Sequence, residues 1–264
     1  MARSGNRSVT THGVPAAPSL DPSLARIWIG RFERQQRRYG PPQDELLPVA
    51  LALLGNVLPA DCGWVLDLGC GPGSLARRVA RAMPGTRVTG VDRDRFLLTL
   101  GRALGGADFV EADLGGPGWA GAAGVESGHV DAVVAWSVVH VLDEQRLRDL
   151  YRELADIIRP GGILLVADRL PDDADPLAPA RAAVRSAWVA DNVRPADETW
   201  EEWWAAVSRE PRLRRLAGKR TAEGVADPPQ LAMGTHARLM IAAGFACAGQ
   251  VWVRGDDMLM VARR

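Results

Sequence analysis

Apolar and polar positions along the chain change their period near residue 64, and that change divides it. Before it, Leu24, Ile27, Trp28 and Phe32 recur at helical spacing behind Asp21-Pro22, an N-cap followed by a proline suited to a first helical turn. Tyr39-Gly40-Pro41-Pro42 ends that helix, and a second is expected over Asp44–Leu58. From residue 64, short apolar runs alternate with helical stripes. Strands are expected at Trp64–Leu68, Arg87–Val91, Phe109–Val110, Val130–Ser137 and Ile163–Asp168. The stripes between them include Leu75, Val79 and Met83, with Arg77, Arg78 and Arg81 outward, and Leu147, Leu150, Tyr151, Leu154 and Ile158. This alternation predicts a parallel sheet covered by helices on both faces.

The alternation breaks after residue 170. Asp197 is a cap candidate for a helix carrying Trp200, Trp203, Trp204 and Val207 on one face. Thr235 is a cap candidate for a helix ending at Gly244. Strands at Gln250–Arg254 and Met258–Ala262, joined through Gly255-Asp256-Asp257, would place one antiparallel strand in the sheet. The expected organisation is a flexible tail (1–20), a helical cap (21–60), a core (61–170), a helical lid (171–230), and a last helix with a hairpin (231–264).

Composition narrows the classes. The 264 residues are 47% hydrophobic, enough for a full core, and 32 basic residues balance 32 acidic ones. A neutral chain does not favour polyanion binding by bulk charge. Arg209, Arg212, Arg214, Arg215, Lys219 and Arg220 form a local basic cluster, read first as a solvated face and second as a contact for an acidic substrate or nucleic acid. Cys62, Cys70 and Cys247 show no C-x-x-C spacing, so a reducing cytoplasm is expected and neither a disulfide framework nor a zinc site. The apolar stretch Leu46–Ala60 is broken by Pro48, Gly55, Asn56 and Pro59, and predicts no membrane span.

The chemistry-bearing stretch is Asp67-Leu68-Gly69-Cys70-Gly71-Pro72-Gly73, a strand end opening into a helix. Glycines there permit positive φ and close approach of a ligand to backbone. In a dinucleotide-type G-x-G-x-x-G loop the sixth position is glycine; here it is Ser74. Asp67 just before the loop would repel a pyrophosphate and favour a cationic ligand.

With these residues, the chain resembles the class I S-adenosylmethionine-dependent methyltransferases, small-molecule type. Residues 65–73 resemble the first motif, Val88-Thr89-Gly90-Val91-Asp92 the second, and Glu111-Ala112-Asp113-Leu114 the third. Residues 131–136 resemble the fourth strand and Arg159-Pro160-Gly161-Gly162 the turn before the fifth. The resemblance implies a Rossmann-like, doubly wound α/β fold. Its sheet has seven strands, mostly parallel with one antiparallel, and carries a helical lid. It also implies S-adenosylmethionine as cofactor and S-adenosylhomocysteine as product. By carry-over the Gly69 and Gly71 backbone, with Cys70 between them, faces the methionine part, and Asp67 acts nearby through water. Asp92 holds the ribose with Arg93 beside it, Asp113 and Leu114 flank the adenine, and Trp136 packs on the cofactor or lines the acceptor pocket.

Two histidines are catalytic candidates. His140, after the fourth strand, is either a general base or a packing residue, and His236, before the hairpin, is a second base candidate. Trp28, Trp200 and Trp204 are candidates for lining an acceptor pocket, against the alternative of core packing. The resemblance to catechol-type relatives places an Asp-Asn pair where this chain has Asp168-Arg169, so no metal is expected. The expected partner is a small-molecule acceptor methylated at O, N or C, in a monomer or homodimer, without nucleic acid or membrane. Methylation of RNA or protein, and cofactor binding without turnover, are the alternatives.

Overall fold

The structure, a computed structural model, describes residues 20–171, 176–194, 197–218 and 231–264. The expected tail falls almost entirely outside the described residues, as do Lys219, Arg220 and parts of the expected lid.

The elements run α1 (Pro22–Gln36), α2 (Gln43–Gly55), β1 (Trp64–Leu68), α3 (Ser74–Ala82), β2 (Arg87–Asp92), α4 (Arg95–Leu104), β3 (Asp108–Glu111), α5 (Trp119–Ala122), β4 (Val130–Trp136), α6 (Glu144–Ile157), β5 (Ile158–Arg169), α7 (Ala178–Asn192), α8 (Trp200–Arg209), α9 (Arg214–Ala217), α10 (Met233–Ala243), β6 (Cys247–Arg254) and β7 (Asp257–Arg263). The sheet has seven strands in the order β3-β2-β1-β4-β5-β7-β6. β1 to β5 pair in parallel, and β7 is antiparallel to both β5 and β6. The architecture is therefore the doubly wound α/β fold expected. Strand order reverses between β1 and β4, and a crevice opens at the carboxyl ends of such strands.

Side-chain alternation along the strands feeds a core on each face. Leu66, Leu68, Val133 and Leu164 pack towards α6 and α10, while Val65, Ala132, Val134 and Leu165 pack towards α2 and α3. Asp131 ties the amino-terminal ends of the strands: its Oδ2 accepts from the Trp64 backbone at 2.8 Å and its Oδ1 from Arg159 Nε at 2.5 Å.

Several boundaries differ from the expected ones. The α6 stripe is buried as predicted through Leu154, but Ile158 opens β5, and Pro160-Gly161-Gly162 lies within that strand next to a register shift. The helix cap is Thr199 rather than Asp197, because Thr199 and Glu202 form a reciprocal capping box. Thr235 lies inside α10, whose N-cap is Ala232. Arg77 does not face outward freely, since its Nη1 donates to the Pro72 carbonyl at 2.6 Å.

A third cluster joins cap and lid to the sheet domain. Leu24, Ala25, Trp28 and Ile29 of α1 meet Phe96, Leu97 and Leu100 of α4 and Trp203 and Val207 of α8. Trp203 is fully buried, and its ring centroid lies 6.0 Å from Trp28, 5.3 Å from Phe32 and 4.7 Å from Trp204. Polar latches reinforce the contact: Arg31 pairs with Glu198, the Tyr39 hydroxyl accepts from the Trp200 backbone at 3.2 Å, and Trp203 Nε1 donates to the Trp28 carbonyl at 3.3 Å. The described part of the basic cluster is solvent-facing at Arg209, Arg212, Arg214 and Arg215, while Leu213 is buried.

Trp203→Ala empties the middle of this cluster, and a loss of about 3–5 kcal/mol is expected from urea unfolding. A loss under about 1 kcal/mol would mean that cap and lid sit on the core without stabilising it.

Candidate functional site

The loop from β1 to α3 is bent back onto β2. Gly69 N and Cys70 N both donate to the Val91 carbonyl, at 2.8 and 3.1 Å. Gly71 N donates to Asp92 Oδ2 at 2.7 Å, and Asp94 N donates to Asp92 Oδ1 at 2.7 Å. Gly69, Gly71 and Gly73 all have positive φ. At Gly69 a side chain is also excluded by contact, because a Cβ would stand 2.5 Å from Val138 Cγ2. Cys70 is buried against Gly90, and burial pushes its thiol well above the usual range. It therefore packs the loop onto β2 and offers no thiolate.

Two carboxylates flank the loop. Asp67 is buried, and its Oδ2 accepts from Ala76 N at 3.0 Å at the start of α3. Burial, joined by the charge of Asp92, pushes its pKa up to about 7, against the pull of the Ala76 hydrogen bond. Burial likewise raises Asp92, partly offset by the two backbone N–H donors. Two desolvated carboxylates beside backbone N–H groups suit a ligand that brings positive charge and hydroxyl donors.

The remaining expected cofactor residues lie along the same carboxyl edge. Arg93 is exposed after β2. Asp113 is exposed after β3, with Oδ1 accepting from Gly115 N at 2.8 Å. Leu114 is buried, and its carbonyl accepts from Arg146 Nε. A groove of about 580 Å³ opens beside Gly115 and Gly116 and is walled by Asp143, Arg146 and Glu153. None of Gly69, Asp92 or His140 lines it, so it is a neighbour of the site and not its centre.

Trp136 packs against the cap. Its ring is buried with Leu46, Ala50 and Leu54 of α2, and its Nε1 donates to the Pro41 carbonyl at 3.3 Å. It pins the α1–α2 connection to the end of β4. The next residue, Ser137, is non-glycine at φ 53° and abuts Gly40 so closely that a Cβ there would overlap Ser137 Oγ at 2.2 Å.

His140 sits in the 3₁₀ turn Val139–Val141. Its Nδ1 lies 2.9 Å from Asp168 Oδ1, and Asp168 Oδ2 also accepts from Val139 N at 3.0 Å. Asp168 is buried at the end of β5, so a fixed carboxylate orients this imidazole. The two residues are 28 apart in sequence, and no local spacing signals the pair. His236 is the second base candidate. It is fully buried between α10 and α6, with Nδ1 2.7 Å from the Tyr151 hydroxyl, and burial lowers its pKa to about 4. A neutral, enclosed imidazole of this kind satisfies a core hydroxyl, and the Asp168 charge also acts on it.

Of the tryptophans, Trp28 is buried in the cap and carries Arg31 over its ring at 3.9 Å, so it is a packing residue. Trp200 and Trp204 are half-buried. Trp200 lies 6.0 Å from Phe32, whose ring stands 3.6 Å from where a Cβ on Gly71 would be. Phe32 of α1 thus packs over the glycine loop, and α8 packs on Phe32. Among the described residues no group of three or more His, Cys, Asp or Glu is placed to hold a metal. Among them, too, no helix is long and apolar enough to cross a membrane.

Residues 65–162 match the family described as Methyltransferase domain. Trans-aconitate 2-methyltransferase of Rhodopseudomonas palustris (strain BisA53) is 34% identical over 137 residues, covering 52% of this chain and 49% of the relative. The same-named protein of Azoarcus sp. (strain BH72) is 36% identical over 124 residues, covering 47% and 46%. The chain thus spans about half the length of the curated relatives it matches. Among solved structures, the CurJ carbon methyltransferase superposes with a TM-score of 0.56 at 15% identity, covering 92% of this chain and 61% of that one. A putative O-methyltransferase from Nostoc punctiforme gives 0.53 at 16% identity, covering 84% and 56%. These structural likenesses show the fold.

Asp67 supplies a pH signature of the ligand-free site. Its folded pKa of about 7 exceeds its unfolded value of 3.8, so the folded state keeps a proton that the unfolded chain has lost. Stability from this group therefore falls as pH rises between those values and is level above them. Asp67→Asn should gain on the parent by about 2–3 kcal/mol more at pH 8 than at pH 5 in urea unfolding. An equal effect at both pH values would contradict a strained carboxylate.

Proposed function

We propose, from the premise that residues 65–162 are a methyltransferase domain of the class I S-adenosylmethionine-dependent kind, that this chain moves a methyl group to a small organic acceptor. The observation that carries the reading is the Asp67, Gly69–Gly71 and Asp92 cradle, held at the strand-order reversal by the hydrogen bonds described. S-adenosylmethionine, when bound, supplies a methyl group already activated on a sulfonium.

The residues fit that group. The Asp92 oxygens retain lone pairs for two ribose hydroxyls after accepting from Gly71 and Asp94. Asp67 meets the cationic methionine end, which favours its ionised form. Asp113 and Leu114 stand where the adenine would lie, with Arg93 flanking the ribose. Phe32 and the lid helix α8 exclude water above the glycine loop, and Trp200 is the tryptophan best placed to line an acceptor pocket. Much of the acceleration then comes from alignment in a dry site.

His140 is the candidate base. Asp168 accepts a hydrogen bond from Nδ1–H, which fixes the tautomer in which Nε2 takes a proton from a hydroxyl or amine acceptor. A carboxylate acceptor is already deprotonated and needs no base. The relatives' name makes trans-aconitate the first acid to try. The assay is transfer of labelled methyl to a panel of carboxylic acids, phenols and amines. With a phenol or amine, His140→Ala should lower kcat by about 10²–10⁴-fold. With a carboxylic acid it should leave kcat nearly unchanged, and equal losses on both classes would remove His140 from proton transfer.

Asp92→Ala should weaken S-adenosylhomocysteine binding by about 2–3 kcal/mol, because charge-assisted contacts to two hydroxyls are lost. Unchanged affinity by calorimetry would contradict the placement of the ribose.

A further inference from the structure

α1 carries a buried stripe through Leu24, Ala25, Trp28 and Ile29, and the stripe ends in a residue that does not suit it. Gln35 is fully buried, yet neither its Oε1 nor its Nε2 has a hydrogen-bond partner among the described residues. A leucine would fit the stripe without stranding an amide, so the polar group costs stability in the ligand-free protein.

Its place explains the cost. Phe32, one turn earlier on the same face, touches the space above Gly71, and Gly40, five residues later, abuts Ser137. Gln35 therefore lies on the part of α1 that runs from the glycine loop to the end of β4. Ser74 Oγ, three residues after Gly71, is also buried and without a partner among the described residues. So is Arg38 Nε, one turn beyond Gln35; the Arg38 guanidinium otherwise meets the Asp197 carbonyl at 3.4 Å.

We propose that Gln35 binds the amino-acid end of S-adenosylmethionine, with Nε2 donating to the carboxylate and Oε1 accepting from the ammonium. The inference rests on the methyltransferase reading and adds a cap residue to it. An amide offers donors and an acceptor in one neutral group, which matches a zwitterion that presents both. A polycarboxylate acceptor would use the donors alone and leave Oε1 stranded.

The test is calorimetry of the full chain, as wild type, Gln35→Leu and Gln35→Met. The ligands are S-adenosylhomocysteine and 5′-methylthioadenosine, which keeps the nucleoside and thioether but lacks the amino-acid end. Wild type should bind both. Each variant should lose about 10- to 100-fold for S-adenosylhomocysteine and bind methylthioadenosine within about twofold of wild type. Each should also match or exceed the wild-type Tm without ligand. Unchanged S-adenosylhomocysteine affinity, equal losses for both ligands, or a lowered Tm in both variants would overturn the assignment. If wild type binds neither ligand, the methyltransferase reading fails first and takes the assignment with it.

Discussion

The Asp92 carboxylate is the point on which the rest of the site hangs. One oxygen holds Gly71 and the other Asp94, so three elements are joined there: the glycine loop, the end of β2 and the start of α4. Asp94 in turn caps α4 through Phe96 N and Leu97 N. The glycine loop can reach Asp92 only because Gly69, Gly71 and Gly73 take up positive φ. Burial of Asp92 and Asp67 leaves two unfavourable carboxylates on either side of that loop. A cationic ligand with hydroxyl groups relieves both, and an anionic pyrophosphate relieves neither.

Above this cradle the protein has built a cover rather than an open cleft. α1 lies on α4, α8 lies on α1, and Phe32 reaches the glycine loop. The Arg31–Glu198 and Tyr39–Trp200 latches lie partly open to solvent, while Trp28 and Trp203 are buried. The cover is therefore held mainly by apolar contact, with directional bonds setting its register. At the opposite side of the crevice, β5 delivers Asp168 under His140, so this histidine has a fixed orientation.

Much of this is legible in local chemistry. The alternation of apolar runs and stripes predicts the sheet, and the Asp67–Gly73 loop with Asp92 some 20 residues on predicts the cradle. What stays hidden in the sequence depends on contacts between distant segments. Nothing in Ser137-Val138-Val139-His140 announces that Asp168 lies beneath it. Trp136 reads as a pocket residue until α2 and Pro41 are seen to enclose it. Nothing in the sequence singles out Gln35, because its burial depends on how α1 docks. The cap of α8 is different: the Thr199-x-x-Glu202 spacing is a stronger start signal than Asp197, and it stands in the sequence.

The most direct measurement is calorimetric titration of the wild-type chain with S-adenosylhomocysteine, with NAD as the comparison ligand. Micromolar binding of the first and none of the second is expected, because the buried carboxylates at the glycine loop favour the cationic amino-acid end and oppose a pyrophosphate. Binding of NAD, or no binding of S-adenosylhomocysteine, would contradict that expectation.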